Sequence, residues 1–185
     1  QRQQLQAAKD RLDLAMQIAR MGLWHWDLRT GMVQGDDTLA QIFGDPPSEE
    51  GPVPIAQWRS RTHPEDLASL NLPLIACLKG ETGQFEVEQR IRHHDGHWIW
   101  GLWRGRVTER NEEGRSVALM GSFHDITERR EAHERLQLAA SVFTHAREGI
   151  TITDTRGTII DVNDTFTRIT GYSRDEAIGN NPRML

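Results

Sequence analysis

The spacing of apolar positions changes several times along the chain, and each change marks an element. Over residues 1–20, QRQQLQAAKDRLDLAMQIAR, the side chains Leu5, Ala8, Leu12, Ala15 and Ala19 recur at alternating spacings of three and four. That is a heptad seam on a helix otherwise rich in charge and amide. It suits either a helix packed on its own domain or one strand of a coiled coil. From Leu23 the period drops to two, with Trp24, Trp26 and Leu28 alternating against His25 and Asp27, which predicts a strand. Thr30–Gly31 turns the chain into a second strand, MVQG. Asp36–Gly44 suits a short helix stopped by Gly44 and by Pro46 and Pro47. In THPEDLASLNLPLIACLKG, Thr62 and Glu65 stand in capping-box positions and Pro64 fits a first turn. Pro73 predicts a kink or break, because an interior proline removes a helix hydrogen bond.

Three strands follow as a meander. Phe85, Val87, Gln89 and Ile91 alternate with Glu86, Glu88 and Arg90, giving one buried and one wet face. Asp95–Gly96 predicts a two-residue type I′ turn. That turn sets His94 opposite His97, His93 opposite Trp98, Ile91 opposite Trp100 and Gln89 opposite Leu102. Opposed residues share a face, so Trp98, Trp100 and Leu102 are expected on the buried side, with Ile99 and Trp103 on the other. The turn at RNEEGR carries this parity into SVALMGSFH, which buries Val117, Leu119 and Phe123. Ala118 and Met120 then share the second face with Trp103 and Val107. That face is mixed, and the flanking helices are its expected cover. Beyond it, Asp125 stands as an N-cap with Glu128 three residues on, and Ala132, Leu136, Ala139, Phe143 and Ala146 form another heptad seam. Its place between two globular segments favours a parallel coiled-coil linker.

The chain also repeats. DDTLAQIFG (36–44) aligns with NDTFTRITG (163–171), and DLRTGMV before the first copy resembles DTRGTII before the second. A second copy of the same domain therefore starts near Ser141 and is cut at Leu185. Composition narrows the picture further. With 185 residues, 37% hydrophobic and 26% charged, the chain has room for one domain and part of another. A net charge of −5 gives a nucleic-acid role little support. No apolar run approaches the roughly 20 residues of a membrane span. The chain does not begin with Met and its first residues already read as helix, so it is expected to be a piece of a longer polypeptide, with room for a signal peptide or membrane anchor upstream. Cys77 is the only cysteine, which excludes an internal disulfide and fits a cytoplasmic location.

These motifs together resemble PAS domains, the sensory modules of bacterial signalling proteins. The first copy is similar to the type that carries GLWHWDLRTG (22–31), HPED (63–66), DG before a Trp at 95–100, RG at 104–105 and DITER (125–129). The second copy resembles another subtype, through Val162–Asn163, Gly171–Tyr172 and IGNNPR (178–183). The resemblance implies an α+β PAS fold, a five-stranded antiparallel sheet with short helices on one face and flanking N- and C-terminal helices. It divides the chain into a linker helix (1–20), a PAS domain (21–127), a signalling helix (128–146) and the opening of a second PAS domain (147–185). It also implies a signal relay through Asp125, Ile126, Thr127, Glu128 and Arg129 to an output domain in the same chain. Diguanylate cyclase (GGDEF) and c-di-GMP phosphodiesterase (EAL) outputs are expected, with a sensor histidine kinase as the alternative. A homodimer through Ala132, Leu136, Ala139, Phe143 and Ala146 is the expected assembly.

The candidate chemistry lies in the sheet. The expected buried face supplies Trp24, Trp26, Trp98, Trp100, Leu102 and Phe123, with Gln89 as a polar handle, which is how small-ligand sites are built. Filled core is the competing reading, and it makes the domain a ligand-free dimerisation scaffold. In HHDGHWIWGLW (93–103), the expected register pairs only His94 with His97, so a hairpin tip is expected there and no metal. Haem-binding PAS domains take an axial histidine from the helix after HPED, and residues 67–79 contain none. Light-sensing LOV domains need a cysteine where Pro182 stands, so adduct photochemistry is not expected. A flavin redox sensor stays open in the second copy, where Asn181 resembles a flavin-contacting position. No nucleophile elbow, phosphate loop or HExxH pattern is present, so no catalysis is expected from this chain.

Overall fold

A computed structural model of the protein describes residues 4, 6, 11, 14–16, 18–46 and 51–184. The heptad positions Leu5, Ala8 and Leu12 lie outside the described residues; residues 14–16 and 18 are helical, and the Ala19 N–H bonds the Ala15 carbonyl at 3.0 Å. The chain forms two compact units, 1–128 and 129–185.

The first unit is built on one antiparallel sheet. Its strands are β1 (Met21–Asp27), β2 (Met32–Gly35), β3 (Val53–Pro54), β4 (Phe85–Arg92), β5 (Trp98–Arg110) and β6 (Ser116–Asp125), in the order β3-β2-β1-β6-β5-β4. The two-residue β3 adds a short edge to the five expected strands. Between β2 and β4 the chain forms α1 (Asp37–Phe43), α2 (Ile55–Arg59), a 3₁₀ turn at Pro64–Asp66 and α3 (Asn71–Lys79). Leu39 and Phe43 of α1 and Cys77 of α3 join one core with Trp24, Phe85, Ile91, Ile99, Leu119 and Phe123. These helices therefore cover one face of the sheet.

The helix boundaries follow from local chemistry, with two corrections. Asp36 caps α1 by accepting from the Leu39 N–H at 2.8 Å. Pro73 does not break a helix. The break falls upstream, at residues 67–70, and α3 begins at Asn71, so Pro73 lies in the first turn, where no N–H is required. The capping residue of the HPED turn is His63, whose side chain accepts from the Glu65 N–H, while Thr62 bridges to Ile91.

The larger correction concerns register. The hairpin closes on His93 and His97 (His93 N–H to His97 O, 2.9 Å), leaving His94, Asp95 and Gly96 as a three-residue loop with Gly96 at φ 100°. Gly96 thus supplies the positive φ of a longer turn and not half of a type I′ pair. Ile91 consequently opposes Ile99, Gln89 opposes Gly101 and Val87 opposes Trp103. A one-residue slip flips every side chain of a strand. Trp98, Trp100 and Leu102 therefore lie on the face away from the helices, and Ile99, Trp103 and Val107 lie beneath them with Leu119 and Phe123.

The helix α4 (Thr127–His145) starts in the first unit and continues into the second, where it is followed by the hairpin β7 (Thr151–Thr153) and β8 (Ile159–Val162), then α5 (Asp164–Thr170), α6 (Arg174–Ala177) and a 3₁₀ turn at Pro182–Met184. The repeat is visible in its caps. Asn163 accepts from the Phe166 N–H at 2.9 Å as Asp36 does for Leu39, and Gly44 and Gly171 close α1 and α5 in left-handed conformations. Ala146 falls one residue beyond α4, where its carbonyl accepts from the Thr165 hydroxyl at 2.7 Å.

Candidate functional site

Glycines in the sheet make room for rings between the sheet and the helices. A Cβ at Gly101 would lie 1.9 Å from the Phe123 ring, and one at Gly121 would lie 1.9 Å from the Arg104 carbonyl and 2.3 Å from the Trp24 ring. Phe123 packs edge-on against Phe43 and Trp103, at 5.0 and 4.6 Å between centroids. Trp58 of α2 meets Trp103 at 5.7 Å.

Two cavities flank this aromatic wall. The larger, about 830 Å³, is lined by residues that include Phe43, Trp58, Ile91 and Trp103 on its apolar side and Asp45, Gln57 and Arg61 on its polar side. The smaller, about 70 Å³, is lined by residues that include Trp24, Trp26, Phe85, Gln89, Trp58 and Trp103. Arg61 grips Asp45 through two bonds of 2.6 and 2.5 Å and lies over the Phe43 ring at 5.2 Å. The indole N–H groups of Trp24, Trp26 and Trp103 are buried without a hydrogen-bond partner. Each unmet donor costs about 1–3 kcal/mol.

Of the expected pocket residues, Trp24, Trp26, Gln89 and Phe123 share the covered face, while Trp98, Trp100 and Leu102 do not. Trp103, Phe43, Trp58 and Arg61 are the wall residues missed in the sequence. Trp103 was lost through the register alone; Trp58 and Arg61 carried no pattern that set them apart from packing residues. The Gln89 amide is already committed, donating to the Asp66 carbonyl at 2.8 Å and the Ser69 hydroxyl at 3.1 Å. Asn181 is exposed, beside Gly157, and accepts from the Arg183 N–H at 3.0 Å.

A second constellation ties the HPED turn to the end of the sheet. Asp66 accepts from the Arg90 backbone N–H at 2.8 Å and from its guanidinium at 2.9 and 2.7 Å, and Glu65 adds a bond of 2.8 Å. The Arg90 guanidinium holds the Asp66 carboxyl below its ordinary value, against the opposing effect of burial. Arg90 also lies over the Trp100 ring at 5.4 Å. Trp100 in turn is held by the start of α4. Its carbonyl accepts from the Ile126 N–H at 2.8 Å, and its N–H donates to the Thr127 hydroxyl at 2.9 Å. That hydroxyl donates to Asp125 at 2.6 Å, and Asp125 also accepts the Thr127 N–H at 2.9 Å. Ile126 is buried, whereas Glu128 and Arg129 are exposed. Asp125 therefore caps the helix through Thr127, one residue earlier than the capping-box pattern.

Comparison with known proteins fits this geometry. A family model described as PAS fold matches residues 32–123, and one described as PAS domain matches residues 147–185. The probable diguanylate cyclase DgcE of Escherichia coli K12 is 24% identical over 94% of this chain and 16% of its own length. The sensor protein FixL of Bradyrhizobium diazoefficiens is 27% identical over 89% of this chain and 33% of its own length. The chain thus spans a third or less of these relatives. A crystal structure of a sensory box histidine kinase/response regulator from Burkholderia thailandensis E264 superposes with a TM-score of 0.59, at 26% identity, over 71% of this chain and 95% of that one. The chain belongs to the PAS domain family.

Proposed function

From that membership, we propose that the chain is a sensory and relay module of a multidomain bacterial signalling protein. In this reading residues 21–127 sense, 128–146 relay and 147–185 open a second PAS domain. The observation that carries it is the junction at Trp100. Both backbone groups of one residue in β5 are bonded to the first residues of the exit helix. The same residue is linked through Arg90 and Asp66 to Gln89, which lines the smaller cavity. A change in the cavity thus has a contiguous route of contacts to α4.

The aromatic wall supports a small ligand as the input. The larger cavity, which shares Val33, Trp58 and Trp103 with the smaller one, is within the range of small-molecule sites and offers apolar walls with an ion pair at one side. A ligand bearing acceptor groups would also serve the unmet indole donor of Trp103, which lines that cavity. On the output side, α4 exposes Ala132, Leu136 and Ala139 of the heptad seam and half-buries Phe143, which suits pairing with a second copy of the chain. Among the described residues no helix is long and apolar enough to cross a membrane. A cyclic-di-GMP enzyme is the output favoured here, in line with the diguanylate cyclase relative. The histidine kinase structure supports a kinase output as the second reading.

A double-mutant cycle tests the relay. Asp66→Ala and Thr127→Val are made singly and together, and unfolding by urea is measured. The relay expects a coupling of at least about 0.5 kcal/mol, whereas independent sites add within about 0.3–0.5 kcal/mol. Additive losses would sink the route through Arg90 and Trp100.

A further inference from the structure

We propose that the tip of the β4–β5 hairpin is a binding site for a divalent transition-metal ion of the zinc or nickel class, held by His93, Asp95 and His97. The three-residue loop brings these side chains together, where the expected register would have paired His94 with His97. The two imidazoles stack at 4.5 Å between centroids, 26° from parallel. One ligand atom from each of the three residues lies within 4.8 Å of the others. Asp95 Oδ1 faces both Nδ1 atoms, 2.9 Å from that of His93 and in contact with that of His97.

Both ring Nδ1 atoms are aimed at one carboxylate oxygen. A metal ion entering the cluster would take a lone pair from each ring nitrogen and from Asp95 Oδ1 in place of these hydrogen bonds.

The site is braced from behind. A Cβ on Gly44 would lie 2.2, 2.4 and 3.1 Å from Cε1, Nε2 and Nδ1 of His93, so that ring is packed against the end of α1. The His94 N–H bonds the Phe43 carbonyl at 2.8 Å, and the Gly96 N–H bonds the His93 carbonyl at 3.0 Å. Asp95 and His97 are exposed and free to retreat to metal–ligand distances of about 2.0–2.2 Å, with water completing the shell. Two imidazoles and one carboxylate suit zinc, nickel, cobalt or copper, while magnesium and calcium prefer oxygen throughout. His94 lies outside the set, 3.7 Å from Asp45.

The test is a titration of the chain, free of any histidine tag, with Zn²⁺ and with Ni²⁺ at pH 7.5 by isothermal calorimetry. One ion per chain is expected, with Ni²⁺ also quenching tryptophan fluorescence through the neighbouring Trp98. His97→Ala and Asp95→Asn should each weaken binding at least tenfold, at an unchanged circular dichroism spectrum. His94→Ala should change it less than twofold. Binding that is absent at micromolar ion, that survives His97→Ala, or that is lost with His94→Ala overturns the assignment.

Discussion

The two faces of the first unit's sheet are built from the same strands and could hardly be less alike. Under the helices lie Phe123 and Leu119, fully buried, together with Trp24 and Trp103, and glycines stand where a methyl group would strike a ring or a carbonyl. On the other face Leu102 and Ala118 are buried, but Trp98 and Met120 are exposed and Arg104 pairs with Glu86 at 2.6 Å. Composition alone does not separate the faces, since each holds tryptophans. What separates them is close approach: at Gly101 and Gly121 the covered face admits no extra atom, and no such contact meets the side chains of the other.

The sharpest way to break this contrast is at two adjacent residues of β6. Gly121→Ala sets a methyl group 1.9 Å from the Arg104 carbonyl, and backbone must move to admit it. We expect a loss above about 4 kcal/mol, whereas Ser122→Ala on the open face should stay within about 0.5 kcal/mol. Equal losses in urea denaturation would abolish the distinction. Next, Phe123→Ala should cost about 3–5 kcal/mol through the cavity it leaves. Trp98→Ala, from a side of the sheet where that residue is 40% exposed, should cost well under half as much. A Trp98 loss as large as that of Phe123 would mean that something covers the open face in solution.

The smallest effect links the faces at the edge strand β4. Asp66→Asn removes a charge-assisted bond to Arg90 and should cost about 1–3 kcal/mol at neutral pH. The Asp66 carboxyl titrates below its ordinary value of 3.8, so its contribution is complete above that value and fades as the pH falls through the lowered one. The stability gap between wild type and Asp66→Asn should therefore be constant above about pH 5 and shrink in more acid solution. A gap that widened on acidification would contradict the Arg90 bond as its source.

Much of the fold was legible because many signals are local. The turn DLRTG, the helix capped by Asp36 and its counterpart capped by Asn163 need only their own neighbours to form. The same holds for the alternation in β4. Pro73 was misjudged because an interior and a first-turn proline differ only in where the helix begins, and that is set by the preceding turn. The candidate pocket was half legible. Trp24, Trp26, Gln89 and Phe123 were placed on one face, but Asp95–Gly96 fits both a two-residue and a three-residue loop, and the choice carried Trp98, Trp100 and Trp103 with it.

That distinction marks the boundary between what the sequence by itself determined and what only the tertiary structure decided. The period of each element, its caps and the repeat of the domain are properties of short stretches, and they are present in the chain before it folds. The phase of β5 against β4 is not, because shifting a strand by one residue leaves its pattern unchanged while exchanging its faces. Packing of His93 against Gly44 and of Phe123 over Gly101 accompanies the register observed. From it follow the members of the aromatic wall, the link from Trp100 to Thr127, and the meeting of His93 with His97.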